Sequence, residues 1–540
     1  MTGLYHGTWW GQHKGEWDPL KDDESGTVAA GRFVRLLPDL ESAEFKRRDL
    51  RRLADAMTAD PEPRPTPEGK PDPEEDPEIP AAYTYLGQFT DHDLTFDPTS
   101  RLREALHPDE LDKLADFRTP RFDLDNLYGR GPDDQPYLYA ADGIHMLLGE
   151  PLSGNPFDPD ARDLPRGPNG RALIGDPRND ENRIVAQIQA VFLRFHNQVA
   201  DHLAKPEHLG KNVTFDQVRN QVRWHYQWLL VTDFLPMVVN RDTYRSIFAD
   251  VHKPMPRLPG VENRLRLMPV EFSVAAYRFG HSMIRPLYRL NTTIERRPIF
   301  LPGDGTADVD DAADLRGFRP IPNDWAIDWQ FFIDIEHTPE PSGIAQLYDP
   351  ITREPQKAYK IDTSLVSPLH DLPPQIATDP SILALRNLER GLTFGLPSGQ
   401  AVAEALHEPV IPDKDLMIGK AIDKTDKTDK EPQQRLVQIA KGFAGNAPLW
   451  AYILSEAQVT SWEKGAGPGV RNDEIPIKLG PVGGRIVAGV FAALLRGDPT
   501  SYVCTDHLRG GTPFTPISDF TCDGKFGLAE LIKAALRPQP

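Results

Sequence analysis

Gln88, Asp91 and His92 stand at i, i+3 and i+4 in the stretch Tyr85-Leu-Gly-Gln-Phe-Thr-Asp-His-Asp-Leu-Thr-Phe96, so on a helix they share one face. That face carries an amide, a carboxylate and an imidazole, a set able to take up and return a proton. Asp93 is rotated about 100° from His92 and must serve something else. A helix of this kind stands between two sites, one needing a proton acceptor and one needing a hard oxygen ligand.

Four later segments repeat the pairing of polar groups. In Arg118-Thr-Pro-Arg-Phe-Asp-Leu-Asp-Asn-Leu-Tyr-Gly129, Thr119, Asp123 and Asp125 alternate and in extended chain point to one side. Oxygens so arranged suit calcium, or else form an acidic turn held by Asx hydrogen bonds. The loop is not an EF-hand, because Tyr128 takes the sixth-position glycine's place and Asp134 that of the twelfth-position glutamate. Gly175-Asp-Pro-Arg-Asn-Asp-Glu-Asn182 opens a long amphipathic run from Ile184 to Leu203, and its Arg178 and Glu181 lie three apart, able to reach one pocket from a single turn. In Ala276-Tyr-Arg-Phe-Gly-His-Ser-Met-Ile-Arg-Pro286, Arg278 and His281 share a helical face; an imidazole can ligate haem iron and a guanidinium attracts haem propionates. Asn387 and Arg390 repeat that spacing within Leu385-Arg-Asn-Leu-Glu-Arg-Gly-Leu-Thr-Phe-Gly-Leu-Pro397.

In this order the five segments resemble the animal-type haem peroxidase superfamily, the group of myeloperoxidase, peroxidasin and their bacterial relatives. Gly480-Pro-Val-Gly-Gly-Arg-Ile-Val and Leu495-Arg-Gly-Asp-Pro echo its C-terminal helix and the turn after it. The resemblance implies a mainly α-helical fold with long Pro-rich loops and little β-structure: one haem peroxidase domain over 81–540, preceded by an N-terminal extension over 1–80 with an amphipathic helix and a Pro/Glu-rich connector. It implies a haem b derivative, ester-linked through Asp91 and Glu181. His92 is then the base toward hydrogen peroxide, Arg178 the cation beside it, and Gln88 a partner for distal water or halide. His281 is the iron ligand, Asn387 accepts its Nδ1 hydrogen, and Arg278 and Arg390 hold the propionates. Calcium falls to Asp93, Thr119, Arg121 through its carbonyl, Asp123 and Asp125.

The implied activity is oxidation of halides, thiocyanate or small organic donors by hydrogen peroxide. Asn182 stands where myeloperoxidase has the methionine of its third haem link, so that link is absent. Fatty-acid dioxygenases of the superfamily carry a radical tyrosine three residues before the proximal histidine; here Arg278 takes that position, and Tyr277 is expected to point elsewhere. A non-enzymatic haem or calcium module is the alternative of a different class.

Composition agrees. The 53 prolines in 540 residues, beside an ordinary 41 glycines, are about twice the usual share and argue for helices joined by irregular connections. A net charge of −19 argues against nucleic acid, whose phosphates call for clustered Lys and Arg. The apolar run Ile486 to Leu495 is about half of what a membrane span requires, so no transmembrane helix is expected. Met1 to Trp10 lacks a basic start and apolar core, so the expectation is a soluble protein, cytoplasmic or exported by a non-Sec route. Cys504 and Cys522 are the only cysteines and could pair only after export. Phe33 to Met57 reads as an arginine-rich amphipathic helix, Asp60 to Pro80 as an extended connector, and Lys424 to Lys430 as a charged loop. Gly465-Ala-Gly-Pro-Gly469 lacks the lysine and flanking strand of a phosphate loop, and Asp308 to Asp314 is an exposed acidic turn.

Overall fold

In the computed structural model of the chain, the described residues are 32–61, 74–96, 118–259, 268–301, 313–335, 354–422 apart from 375 and 378, 433–465 and 470–538, with isolated positions 102, 114, 116 and 467. Residues 1–31, the charged loop at 424–430, and most of the connector and of the acidic turn at 308–314 lie outside them. Among the described residues, eight helices have eight or more residues: α1 (Arg47–Ala56), α2 (Ala82–Leu94), α3 (Arg183–Leu203), α4 (Phe215–Leu229), α5 (Leu383–Thr393), α6 (Leu449–Gly465), α7 (Pro481–Gly497) and α8 (Leu528–Ala535). Strands are short and pair only in twos. Phe33–Val34 runs parallel to Met268–Pro269, and Glu75–Pro80, Leu287–Tyr288 and Met417–Ile418 run antiparallel to Lys357–Tyr359, Arg297–Pro298 and Gln434–Arg435. The fold is mainly α-helical, as expected.

The central helix is α3. Asn182 starts it, its side chain accepting from the N–H groups of Ile184 and Val185, the usual N-cap arrangement. Nearly every residue of α3 is buried, because α2, α4 and α8 all pack on it. Phe89 of α2 stacks on Phe192 of α3 at 4.5 Å, and Tyr226 of α4 meets both edge-on. This aromatic triad fixes α2, and with it the Gln88, Asp91 and His92 face. On the far side of the site α6 packs on α7, where Gly483 is required: a Cβ there would fall 2.6 Å from Ile453 Cγ2. Trp450 of α6 donates to the Arg278 carbonyl at 3.2 Å and so braces the short helix that carries His281.

The helix expected over Phe33 to Met57 forms only from Arg47 onward. Pro38 cannot supply an interior helix N–H, and the preceding residues instead form the short strand against Met268–Pro269. The described part of 1–80 packs on the body: Leu50 and Leu53 are fully buried, α1 lies on α5, and Leu36 and Leu37 donate their N–H groups to the buried Glu271 carboxylate. Cys504 and Cys522 are not bridged. No helix among the described residues is long and apolar enough to cross a membrane.

Candidate active site

Helix α2 brings Gln88, Asp91 and His92 to the wall of one cavity with ≈ 980 Å³ of empty space, and Glu181, Asn182, Arg278 and His281 line it too. The two histidines that lie far apart in sequence therefore reach a common space. His281 ends a 3-10 helix, Ala276–His281, in which residues three apart eclipse one another; hence Arg278 and His281 both reach the wall.

Each imidazole has one nitrogen occupied by an asparagine. His92 Nδ1 lies 2.7 Å from Asn179 Oδ1, and Asn179 in turn gives its amide hydrogen to Gln189 Oε1 at 2.8 Å. Nδ1 of His92 is thus the protonated nitrogen, and Nε2, 3.8 Å from Glu181 Oε1, is left for the cavity. Burial, with the Arg178 charge behind it, lowers the His92 pKa to about 4, so the ring is neutral at pH 7. The Asn387 amide nitrogen lies 2.7 Å from His281 Nδ1; a half-turn of that amide places its oxygen there and fixes the tautomer whose Nε2 can ligate a metal. Burial and then Arg278 lower the His281 pKa to about 3.

The carboxyl groups are held as deliberately. Gln88 donates its amide to Glu181 and accepts from Asn182 Nδ2 at 2.9 Å. Burial raises the Glu181 pKa to about 7. Asp91 accepts from Thr95 Oγ1 at 3.1 Å and lies 3.9 Å from Arg278 Nη1.

Arg178 departs from expectation. Its Nε and Nη2 bind the Asp176 carboxylate at 3.2 and 2.8 Å, Nη2 also donates to the His92 carbonyl at 3.1 Å, and the guanidinium covers the Phe96 ring at 4.7 Å. It is not among the residues that line the cavity. The cause is Asp176: burial works to raise its pKa, yet Arg178 and Arg118 outweigh that and hold it far below the ordinary carboxylate value. Arg390 likewise does not line the cavity and lies over the Phe394 ring at 5.3 Å. Tyr277, expected to point away, does line the cavity and stacks on Phe272 at 4.8 Å.

Behind α2, Asp93, Asp123 and Asp125 offer oxygens that all lie within 4.8 Å of one another. Both Asp93 oxygens are buried without a hydrogen-bond partner; the nearby Tyr226 hydroxyl gives its proton to Thr90 Oγ1. Burial, reinforced by Asp123 and Asp125, raises the Asp93 pKa well above its ordinary value. Thr119 Oγ1 donates to Asp123 at 2.6 Å, the Arg121 guanidinium reaches Asp498 at 3.4 Å, and Arg118 lies 3.2 Å from Asp125. Three converging carboxylates with orphaned oxygens are a donor set for a hard cation.

Residues 110–303 match the family of animal haem peroxidases. Over that stretch the chain resembles the animal haem peroxidases. Mouse thyroid peroxidase is 31% identical over 126 residues, 23% of this chain and 13% of that protein. Drosophila melanogaster peroxidasin is 22% identical over 300 residues, 54% of this chain and 17% of that protein. This haem peroxidase relative thus spans under a fifth of the length of either. In fold it is similar to peroxidase A of Dictyostelium discoideum, with a TM-score of 0.55 at 16% identity over 94% of each chain. It is similar also to a fatty acid alpha-dioxygenase of Arabidopsis thaliana, with a TM-score of 0.50 at 11% identity over 92% of this chain and 74% of that one.

The family match over residues 110–303 implies haem, and the cavity fits it. Phe234, Phe279, Met283, Ile299, Phe300 and Leu372 give the slot apolar walls, while two imidazoles, two carboxyl groups and a guanidinium converge within it, as an iron porphyrin with propionates requires. Sequence spacing located most of these groups. It missed Asn179 and Gln189, whose role of orienting His92 arises from contacts 87 and 10 residues apart.

Proposed function

We propose that this chain is a haem peroxidase that reduces hydrogen peroxide and oxidises halides, thiocyanate or small organic donors. The observation that carries the reading is that His92 and His281 line one cavity, each with Nδ1 engaged by an asparagine. Bound haem, ligated by His281, supplies the two-electron reduction of peroxide and returns the oxidising equivalents to a donor. His92 Nε2, neutral and free of other work, takes a proton from one peroxide oxygen and delivers it to the other, which leaves as water. Arg178 is a positioning residue here: it ties the His92 carbonyl to Asp176, and its charge lowers the proton affinity of the imidazole.

Asp91 and Glu181 reach the cavity, with Gln88 holding Glu181 in position; each carboxyl group would join a porphyrin methyl as an ester, hydrogen peroxide serving as the two-electron oxidant that takes one methyl hydrogen and the acid proton and leaves as two waters. Asp93, Asp123, Asp125, Thr119 and the Arg121 carbonyl hold calcium, which relieves the buried acid cluster and fixes the helix turn beside His92. Acid–acetone extraction tests the linkages: haem should stay with the protein, and the double variant Asp91→Val, Glu181→Gln should release it. Loss of haem from the unaltered protein would refute the esters, and absence of peroxide-dependent oxidation of any donor would refute the activity.

Tyr277 on the cavity wall favours a second reading, fatty-acid dioxygenation. It requires oxygen uptake with a fatty acid and no peroxide, abolished by Tyr277→Phe.

A further inference from the structure

Three tyrosines line the haem cavity, Tyr83, Tyr85 and Tyr277. The Tyr85 and Tyr277 hydroxyls are buried and face no carboxylate at hydrogen-bond distance among the described residues. Tyr83 differs. Its hydroxyl donates to the Asp233 carboxylate, 2.8 Å from Oδ1 and 2.9 Å from Oδ2. No cation stands against Asp233 among the described residues: its hydrogen-bond donors are Tyr83 and the Leu528 N–H, at 2.8 Å, and the other charged group acting on it is Glu530. A carboxylate withdrawn from water is ordinarily paired with a cation. Here burial raises the pKa, outweighing the two hydrogen bonds, so Asp233 is a stronger base than an exposed aspartate.

The backbone is shaped to make this pair. Asp233 lies in a π-helical turn, Leu230–Phe234, that follows α4; such turns carry an extra residue and recur at functional sites. Its neighbour Phe234 lines the cavity while Asp233 takes the phenol. From the other side, the start of α8 closes on the carboxylate, and a Cβ on Gly527 would fall 2.6 Å from Asp233 Oδ2. A side chain there would displace the carboxylate.

Removing an electron from a phenol makes its hydroxyl strongly acidic, so oxidation is favoured where a base already stands at the oxygen. We propose that Tyr83 is a redox-active residue that carries electrons from phenolic donors to the haem, with Asp233 accepting its proton. The proposal rests on the peroxidase reading for its oxidant. In each pass Tyr83 gives one electron to the haem, its O–H bond breaks and the proton moves to Asp233, which leaves a neutral tyrosyl radical beside a carboxylic acid. A phenolic donor then returns one electron and one proton to the tyrosyl oxygen, and Asp233 releases its proton. Two such passes consume one hydrogen peroxide, which takes the two electrons and two protons and leaves as two waters.

The test is electron paramagnetic resonance of the haem-loaded protein, frozen after one equivalent of hydrogen peroxide without donor, with the Soret band followed in parallel. A tyrosyl signal that changes when the protein carries ring-deuterated tyrosine is expected, and a phenol added before freezing should erase it. Tyr83→Phe should lose the signal, while Tyr85→Phe and Tyr277→Phe keep it. Asp233→Asn, which retains an acceptor for the Leu528 N–H but offers no base, should lose it as well, and decides the matter if Tyr83→Phe takes up no haem. A Soret band that responds to peroxide with no tyrosyl signal, or a signal indifferent to Tyr83→Phe or to Asp233→Asn, overturns the proposal and leaves the peroxidase reading standing. A signal lost in Tyr277→Phe and kept in Tyr83→Phe overturns it in favour of the dioxygenase reading. A Soret band that does not respond to peroxide at all overturns the proposal and the peroxidase reading together.

Discussion

His92 and His281 show how one neighbour can decide the use of a titratable group. Both are driven neutral by burial, to pKa values of about 4 and about 3, and each has a side-chain amide at Nδ1. Asn387→Ala removes that constraint from the iron ligand, and a shifted Soret band with weaker imidazole ligation is expected; a spectrum identical to that of the unaltered protein would deny the residue its role. At Asp93 the orphaned oxygens give a test that calcium alone can pass. Calcium at 100 times its Kd should stabilise the protein by about 2.7 kcal/mol, seen as a rise in Tm. Asp93→Asn should abolish that rise and in chelator be no less stable than the unaltered protein, because an amide carries no buried charge. The sequence told that Asp93 faces away from His92 because helix geometry alone dictates it. It could not tell that Arg178 would be drawn aside, since that depends on Asp176 winning the guanidinium from the cavity.

Among the elements, α3 and α4 contribute a pH response of their own. His196 donates from Nε2 to the Ile144 carbonyl and receives the Tyr128 hydroxyl at Nδ1, while His225 donates from Nδ1 to the Gln221 carbonyl and accepts the Ile517 N–H at Nε2. Both rings are held as the neutral tautomer, with burial lowering each pKa to about 4 from 6.5. The unfolded chain takes up these protons below pH 6.5 while the fold refuses them until about pH 4. Stability from the two histidines is therefore complete above pH 6.5 and falls as pH drops through that window, by about 3 kcal/mol per ring at its foot. Urea midpoints at pH 7.5 and pH 5 check this: a drop that His225→Gln reduces agrees, and a flat profile contradicts it. The run from Ile184 to Leu203 was legible as a helix because its apolar period is long. The start of α1 was misjudged because an apolar pattern continued across Pro38, and Tyr277 was misplaced because a six-residue 3-10 segment has no periodic signature.

For the whole molecule, the fold works by bringing remote segments to one cavity, and its helical class was readable because four sets of polar residues at helical spacing and a high proline content agree. The packing of the N-terminal segment was not readable, since it depends on Glu271, a buried carboxylate 234 residues from Leu37. Glu271→Ala strands two buried N–H groups, so a loss of about 1–3 kcal/mol in unfolding free energy is expected, with faster proteolysis near residues 33–37; equal resistance would show that the segment is held by other means. The central claim, that His92 and His281 flank one haem, is tested most directly by the absorption spectrum of the purified protein loaded with haemin, beside that of His281→Ala. One equivalent of haem with a Soret band that His281→Ala shifts or loses is the expected result. A protein that takes up no haem, or a Soret band indifferent to His281, would contradict the account.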